Sequence, residues 1–205
     1  MSFYPRLENL DLEQLKKQFR LSPFSKEEAD VYYQEIADLI HKKGNPGKIF
    51  LTEAIKQANT EQLRAIIFAL SNQANQDTKI KQLLSQYLRD KRPIIVAEAI
   101  DGLTKQNETT AISEVSALLN SQSPYIRNSV LRYLSKLYPE QAFPLLKEAL
   151  QDPDYLVREN AVDELGELDK PEAIAYLVPL TKDPHPDVRQ AVETAIDMLS
   201  CISVV

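Results

Sequence analysis

The chain has 205 residues, 43% of them hydrophobic and 26% charged, so a buried core can form and wholesale disorder is excluded. Four glycines against 12 prolines count against a glycine-rich phosphate loop or a hairpin-rich β fold, and the single cysteine excludes an internal disulfide and a multi-cysteine metal site. Thirty acidic residues against 24 basic ones leave a net charge of −6, which argues against a general electrostatic grip on nucleic acid but not against a local basic patch.

In chain order, residues 1–10 contain Arg6 and Glu8 and no apolar core segment, so no signal peptide is expected. Segments 11–20 and 25–43 are predicted as helices, with Ser25 and Glu28 forming a capping-box pattern and Gly44-Asn45-Pro46-Gly47 a turn. They are read as a helical cap, 1–47, ahead of a repeat array, 48–205, that forms one continuous domain. Segments 48–58 and 78–89 supply first helices. Leu63-Arg64 with Ile67 and Leu70 marks a second helix, about one residue out of the later register. The longest uninterrupted apolar run, Ala65 to Leu70, is far short of the roughly 20 residues that cross a bilayer. No membrane span and a reducing, cytoplasmic location are therefore expected.

From residue 91 on the chain repeats itself. Ser123-Pro124-Tyr125-Ile126-Arg127, Asp154-Tyr155-Leu156-Val157-Arg158 and His185-Pro186-Asp187-Val188-Arg189 place their arginines 31 residues apart, and one step earlier Val96 stands in the arginine column. Ile95, Ile126, Val157 and Val188 form one apolar column. Ala99, Val130, Ala161 and Val192 form a second, and Leu103, Leu134, Leu165 and Ile196 a third. The columns fall at i, i+4 and i+8, one face of an α-helix. A preceding helix carries Ile112, Phe143 and Ile174, then Val115, Leu146 and Leu177 three residues on. The unit is helix, turn, helix. One such pair cannot bury both its faces, so neighbours must stack, and the predicted fold is all-α: an α-solenoid of about five helix pairs.

The punctuation agrees. Pro93, Pro124 and Pro186 sit where proline opens a helix without losing a hydrogen bond. Ser123 and Asp154 are predicted N-caps. Asp152-Pro153 and Asp183-Pro184 mark tight turns, Pro139 and Pro171 open first helices, and Pro179 should kink its helix. The run from Leu146 through Asp152-Pro153-Asp154-Tyr155-Leu156-Val157-Arg158 to Gly166 resembles the HEAT repeat. More narrowly, it is similar to the short HEAT-like repeat of phycobilisome lyases, the E/F-type bilin lyases and their relatives. The likeness is strong over 140–199, fair over 91–138 and weak before that.

Candidate chemistry is sparse. No P-loop, H-E-x-x-H, G-x-S-x-G or C-x-x-C pattern occurs, and no metal site and no catalytic residue are predicted. Arg127, Arg158 and Arg189 could line a ladder for an anionic ligand. Equally, each could pair with a turn aspartate (Asp152, Asp154, Asp183 or Asp187), and the HEAT resemblance favours this structural role. His185 reads as a turn residue and Cys201 as a small buried apolar residue. The glutamate–aspartate pairs of the second helices read as a solvated acidic face.

If the second helices line a concave face, as the HEAT resemblance implies, the residues offered to a partner are Tyr125, Asn128, Ser129, Arg132, Tyr133 and Lys136, then Glu159, Asp163 and Glu193. Tyr125 and Tyr133 could instead pack between repeats. Ile202, Val204 and Val205 leave an apolar end that either folds back or docks a second HEAT-like subunit or another copy. The expected function is a non-catalytic scaffold that binds a folded protein. The resemblance suggests a phycobiliprotein or another photosynthetic-apparatus protein as that partner, and no cofactor. The alternative it implies is a subunit of a bilin lyase or isomerase handling a linear tetrapyrrole transiently, or a phycobilisome-degradation factor. A HEAT-like DNA glycosylase is disfavoured by the acidic balance and the absence of tryptophan.

Overall fold

The computed structural model describes residues 3–21, 28–72 and 77–202, and among them every regular element is a helix. The chain divides into two compact units, Met1–Glu108 and Thr109–Val205.

The first unit holds α1 (Pro5–Glu8), α2 (Leu12–Arg20), α3 (Ala29–Lys42), α4 (Asn45–Ala54), α5 (Thr60–Ser71), α6 (Thr78–Tyr87) and α7 (Pro93–Lys105). The boundary expected after residue 47 falls inside this unit. The reason is packing: α3 lies against α5 as well as α2 and α4, and Ile36, Ile40, Leu51, Ile66 and Leu70 share one buried core. The predicted cap is therefore part of the core of this unit. Two reciprocal capping boxes start its helices, Asp11 with Gln14 and Asn59 with Gln62. Each side chain satisfies a backbone donor that the first helical turn leaves open. Gln62 also donates Nε2 to the carbonyl of Phe19 at 2.8 Å, tying α5 to α2. The capping box read at Ser25 lies outside the described residues.

The second unit holds α8 (Ile112–Ser116), α9 (Pro124–Leu137), α10 (Pro139–Ala149), α11 (Tyr155–Glu167), α12 (Ile174–Leu177) and α13 (Pro186–Ile202). Short 3-10 turns, Pro171–Ala173 and Val178–Lys182, flank α12. Pro179 ends α12 as its missing N–H requires: the helix stops at Leu177 and continues in the tighter form. The second helices stack in order, α9 on α11 and α11 on α13, while α10 packs on both α9 and α11. This all-helical stack of paired helices is an α-solenoid fold.

The apolar columns form the core. Ile126, Val157, Val188, Val130, Ala161, Val192, Leu134 and Leu165 are buried, and so are Ile95, Ala99 and Leu103 of α7; Ile196, near the end of α13, is half-buried. In the first helices Val115, Leu146 and Leu177 are fully enclosed, but Ile112, Phe143 and Ile174 are only half-buried. The enclosed positions are the alanines one residue earlier, Ala111, Ala142 and Ala173. A methyl group there lets the first helix lie close to its partner.

Two local expectations are corrected. Asp154 caps α11, accepting from the N–H of Leu156 at 3.0 Å, but Ser123 makes no side-chain cap to α9. Its own N–H instead donates to the hydroxyl of Ser121 at 3.3 Å. Cys201 is exposed, not buried, because α13 is the last helix described and nothing described covers that side of it. Residues 203–205 of the apolar end lie outside the described residues.

Two glycines at the start of α4 are separable. A Cβ at Gly47 would sit 1.9 Å from the carbonyl oxygen of Ile40, a backbone atom that cannot swing away, whereas Gly44 has open space and a φ of +78°. Gly47→Ala should lower stability by about 2–3 kcal/mol through overpacking. Gly44→Ala should cost about 1–2 kcal/mol, the backbone strain of a Cβ at φ +78° and ψ −150° with no packing clash added. Chemical denaturation of both variants checks this; equal losses would contradict the close approach at Gly47.

Candidate interaction face of the C-terminal unit

The arginine column is structural over two of its three members. Arg127 places Nε and Nη2 at 2.8 and 2.7 Å from the two carboxylate oxygens of Asp152, and Nη1 at 2.8 Å from the carbonyl of Ser121. Arg158 repeats the arrangement with Asp183, both contacts at 2.8 Å, and with the carbonyls of Asp152 and Pro153 at 2.9 and 3.3 Å. In both clamps the aspartate lies 25 residues ahead, in the next turn. The aspartate has a second duty, since Asp152 and Asp183 each accept the backbone N–H two residues on, at 2.9 and 2.8 Å. Ser121 does the same one register step earlier, and so does Asp90, which Arg92 also grips bidentately. The column Asp90, Ser121, Asp152, Asp183 has the 31-residue period and could have been found in the sequence on that basis alone. The Arg158 hydrogen bonds pull the Asp183 carboxyl below its usual range, and Arg92 does the same to Asp90.

On the exposed side of the second helices a polar seam joins α9 to α11. Asn128 donates to the carbonyl of Leu156 at 3.2 Å, and Arg132 donates Nη2 to Asn160 at 2.9 Å. Arg132 Nε stands 3.5 Å from Glu164, and Lys136 pairs with Glu167 and lies 4.0 Å from Glu164. Arg132 and Lys136 of α9 thus both engage α11. Glu164 is nearly enclosed, 6% exposed. Burial pushes its carboxyl up, against the downward pull of the Ser135 hydroxyl, Lys136 and Arg132.

Glu159 and Asp163 are different. Neither has a basic side chain within ion-pair distance among the described residues. Both carboxyls are raised, first by burial and then by neighbouring carboxylates: Asp163 and Asp187 act on Glu159, and Glu167 acts on Asp163. Thr109–Val205 carries 15 of the chain's 30 acidic residues but only 8 of its 24 basic ones, so the net negative charge of the protein resides in this unit.

The other residues expected on this face divide. Tyr125 is 51% exposed, and Asn128, Arg132 and Lys136 reach solvent in part. Ser129 and Tyr133 are buried, at 3% and 0%, and are removed from the set. They lie on the flanks of α9 that neighbouring helices cover, and Tyr133 stacks at a tilt on Tyr138, 6.1 Å between centroids. Glu193 is exposed, but it belongs to another flank: it holds the register of Leu131 and Val162, which α9 and α11 bury. His185 is a turn residue as expected. Its ring stacks on Tyr155 at 3.5 Å. No group of three or more His, Cys, Asp or Glu among the described residues is placed to hold a metal ion, and no described helix is long and apolar enough to cross a membrane. In the first unit a cleft of about 430 Å³ lies between Phe19, Phe50, Gln57 and Gln62, with Arg20 at 5.2 Å over the Phe50 ring.

Comparison with known proteins agrees with the fold. Residues 113–197 match the family model for HEAT repeats, so the HEAT-type repeat read from the sequence stands. Deoxyhypusine hydroxylase-B of Oryza sativa subsp. japonica is 30% identical over 129 residues, covering 62% of this chain and 43% of that protein. The chain therefore matches less than half the length of that relative. Among solved structures, E. coli YibA superposes with a TM-score of 0.70 at 16% identity, over 97% of this chain and 76% of that one. The complex of CpcE and CpcF of phycocyanin lyase from Nostoc sp. PCC7120 gives 0.57 at 15% identity, over 96% and 86%. At such identities the likeness is one of fold.

The clamps set a stability order and a pH profile. Asp183→Ala should cost about 3–5 kcal/mol, because it strands the Arg158 charge in a pair that is 13% and 6% exposed. Arg189→Ala, which loses no carboxylate partner, should cost distinctly less. A carboxyl lowered in the folded state stabilises above its unfolded pKa, and that contribution is lost as pH falls through the lowered value. Glu159, Asp163 and Glu164 act oppositely. Their cost sets in as pH rises from the unfolded to the raised folded value, so mild acidification should stabilise the protein before the Asp183 clamp is lost at lower pH. Thermal midpoints across pH test this; Asp183→Ala should flatten the acid limb, and an unchanged limb would refute the assignment.

Proposed function

We propose that the protein is a non-catalytic binding scaffold whose second-helix face in the C-terminal unit receives a basic segment of a protein partner. The observation that carries this reading is the pair Glu159 and Asp163: two carboxylates raised by burial and by other carboxylates, against a smaller opposing pull from His185 on Glu159 and from Arg132 on Asp163, and neither held in an ion pair among the described residues. The charge-balanced parts of the same face, Arg132 with Glu164 and Lys136 with Glu167, frame them. A partner's lysine or arginine placed there would remove a repulsion as well as form a pair, which favours that partner over a neutral one. Tyr125, exposed at the start of α9, supplies an apolar contact of the kind that anchors interfaces.

HEAT- and armadillo-like repeats suit such a role. A designed armadillo repeat protein, similar in fold at a TM-score of 0.50 and 18% identity, is solved with the peptide (KR)4. The bilin-lyase alternative draws on the CpcE–CpcF complex, a likeness of fold. Nothing else about the face favours a tetrapyrrole.

Labelled (KR)4 is a direct probe, read by fluorescence anisotropy at low ionic strength. The pair Glu159→Gln with Asp163→Asn should weaken binding about tenfold, roughly 1.4 kcal/mol, and Tyr125→Ala should weaken it further. Neutralising two exposed acids elsewhere in the unit, Glu148→Gln with Glu172→Gln, should leave it nearly unchanged. Equal losses from both pairs would mean diffuse attraction to an acidic protein and would end the reading. Binding should also fade on acidification at a pH above the ordinary carboxylate range, because the two raised groups lose their charge early. A shifted visible absorption band on adding a linear tetrapyrrole would favour the alternative.

A further inference from the structure

The third arginine of the column is half-satisfied. Arg189 sets Nη1 at 2.7 Å from the carbonyl of Asp183 and 3.1 Å from that of Pro184, the same backbone grip that Arg158 has on Asp152 and Pro153. Its Nε and Nη2, which in Arg127 and Arg158 take an aspartate, meet no carboxylate among the described residues. Arg189 is thus a fork already oriented for a carboxylate that the described residues do not supply.

Its surroundings say what kind of surface brings that carboxylate. A Cβ at Gly166 would lie 3.0 Å from the Cβ of Ala195, so the flank of α11 bearing Arg158, Val162 and Gly166 faces α13. One register step on, the same flank of α13 bears Arg189, Glu193 and Asp197. Where α9 and α11 bury Leu131 and Val162, and Ser135 and Gly166, α13 exposes Glu193 and Asp197. An apolar helix stacked there would strand two carboxylates. The flank is instead complementary to itself. Arg189 and Asp197 lie four residues to either side of Glu193 and carry opposite charge.

We propose that this flank joins two copies of the chain. The α13 helices lie antiparallel about a two-fold axis at Glu193, and each Arg189 fork takes the Asp197 carboxylate of the other copy. An interface of this isologous kind makes every contact twice, and Arg–carboxylate forks give it geometric selectivity. Arg189 and Asp197 are about 12 Å apart along one helix, so they cannot satisfy each other within a chain. The two Glu193 side chains meet at the axis and hold the dimer weak. The proposal is independent of the basic partner, since its residues lie on a different flank from Glu159 and Asp163.

Sedimentation velocity of the full chain at low ionic strength tests it. The wild type should reach twice the 23.3 kDa chain mass and dissociate in about 1 M NaCl, where screening acts within about 3 Å. Arg189→Glu alone and Asp197→Arg alone should each be monomeric, since each sets like charges against each other in both contacts. Mixed, they should dimerise, because each contact then joins opposite charges. Glu193→Gln should tighten the dimer about tenfold, roughly 1.4 kcal/mol. Asp197→Arg leaves every backbone bond of Arg189 in place, and circular dichroism verifies that both variants are folded. A wild type monomeric up to about 100 μM, a dimer that survives Asp197→Arg, or folded variants that stay monomeric when mixed would each overturn the proposal.

Discussion

The bidentate clamp between an arginine and the aspartate 25 residues ahead of it is the contact on which the geometry of the C-terminal unit depends. An apolar seam between helices is tolerant, because buried methyl groups accept small slides and rotations at little cost. A guanidinium that must meet two carboxylate oxygens and two carbonyls is not tolerant. Arg158 ties the start of α11 to the turn before α13, while Asp183 in that turn also accepts the N–H of His185. One aspartate therefore sets the start of its own helix and its distance from the preceding one. The hydrophobic columns give the unit its stability; the clamps set the step from one repeat to the next.

Fixing the step also fixes what the second helices present. With α9 and α11 held side by side, Arg132 and Lys136 of α9 fall opposite Asn160, Glu164 and Glu167, and they are used there. Glu159 and Asp163 of α11 form no ion pair with these cations among the described residues, although Arg132 still pulls the Asp163 carboxyl down in part. The excess of negative charge in Thr109–Val205 is therefore not a uniform coat. Glu159 and Asp163 are among the acids of this unit that stand in no ion pair among the described residues, and it is there that we place the proposed contact with a basic partner. Arg189 shows the same logic with the sign reversed: the register orients a cation whose anion the described residues do not supply.

Much of this was legible in the sequence because a repeat writes its constraints several times. Ile126, Val157 and Val188 name a buried face more firmly than any one of them alone. The 31-residue spacing of the arginines marks them as parts of the scaffold rather than of one site. Sequence and structure part where neighbouring positions on a helix differ by only 100° of rotation. Phe143 was expected in the core on its hydrophobicity, yet the enclosed residue is Ala142 beside it, because closeness of approach and not side-chain size decides which of the two fits. Of the two readings open for Tyr133, contact with a partner or packing between repeats, its full burial selects the second. A tyrosine between two helices and a tyrosine on their outer side look alike in a one-dimensional pattern.

The sequence by itself determined the helical unit, its period, the inward columns and the residues that start each second helix, because these follow from local geometry: 3.6 residues per turn, proline's fixed φ and the open donors at a helix start. Only the tertiary structure decided which aspartate each arginine holds, that residues 1–47 share the core of the first unit, and which acids are left unbalanced. Those outcomes depend on distances between segments 25 or more residues apart. Such distances are set by how closely whole helices pack, and no local pattern records that.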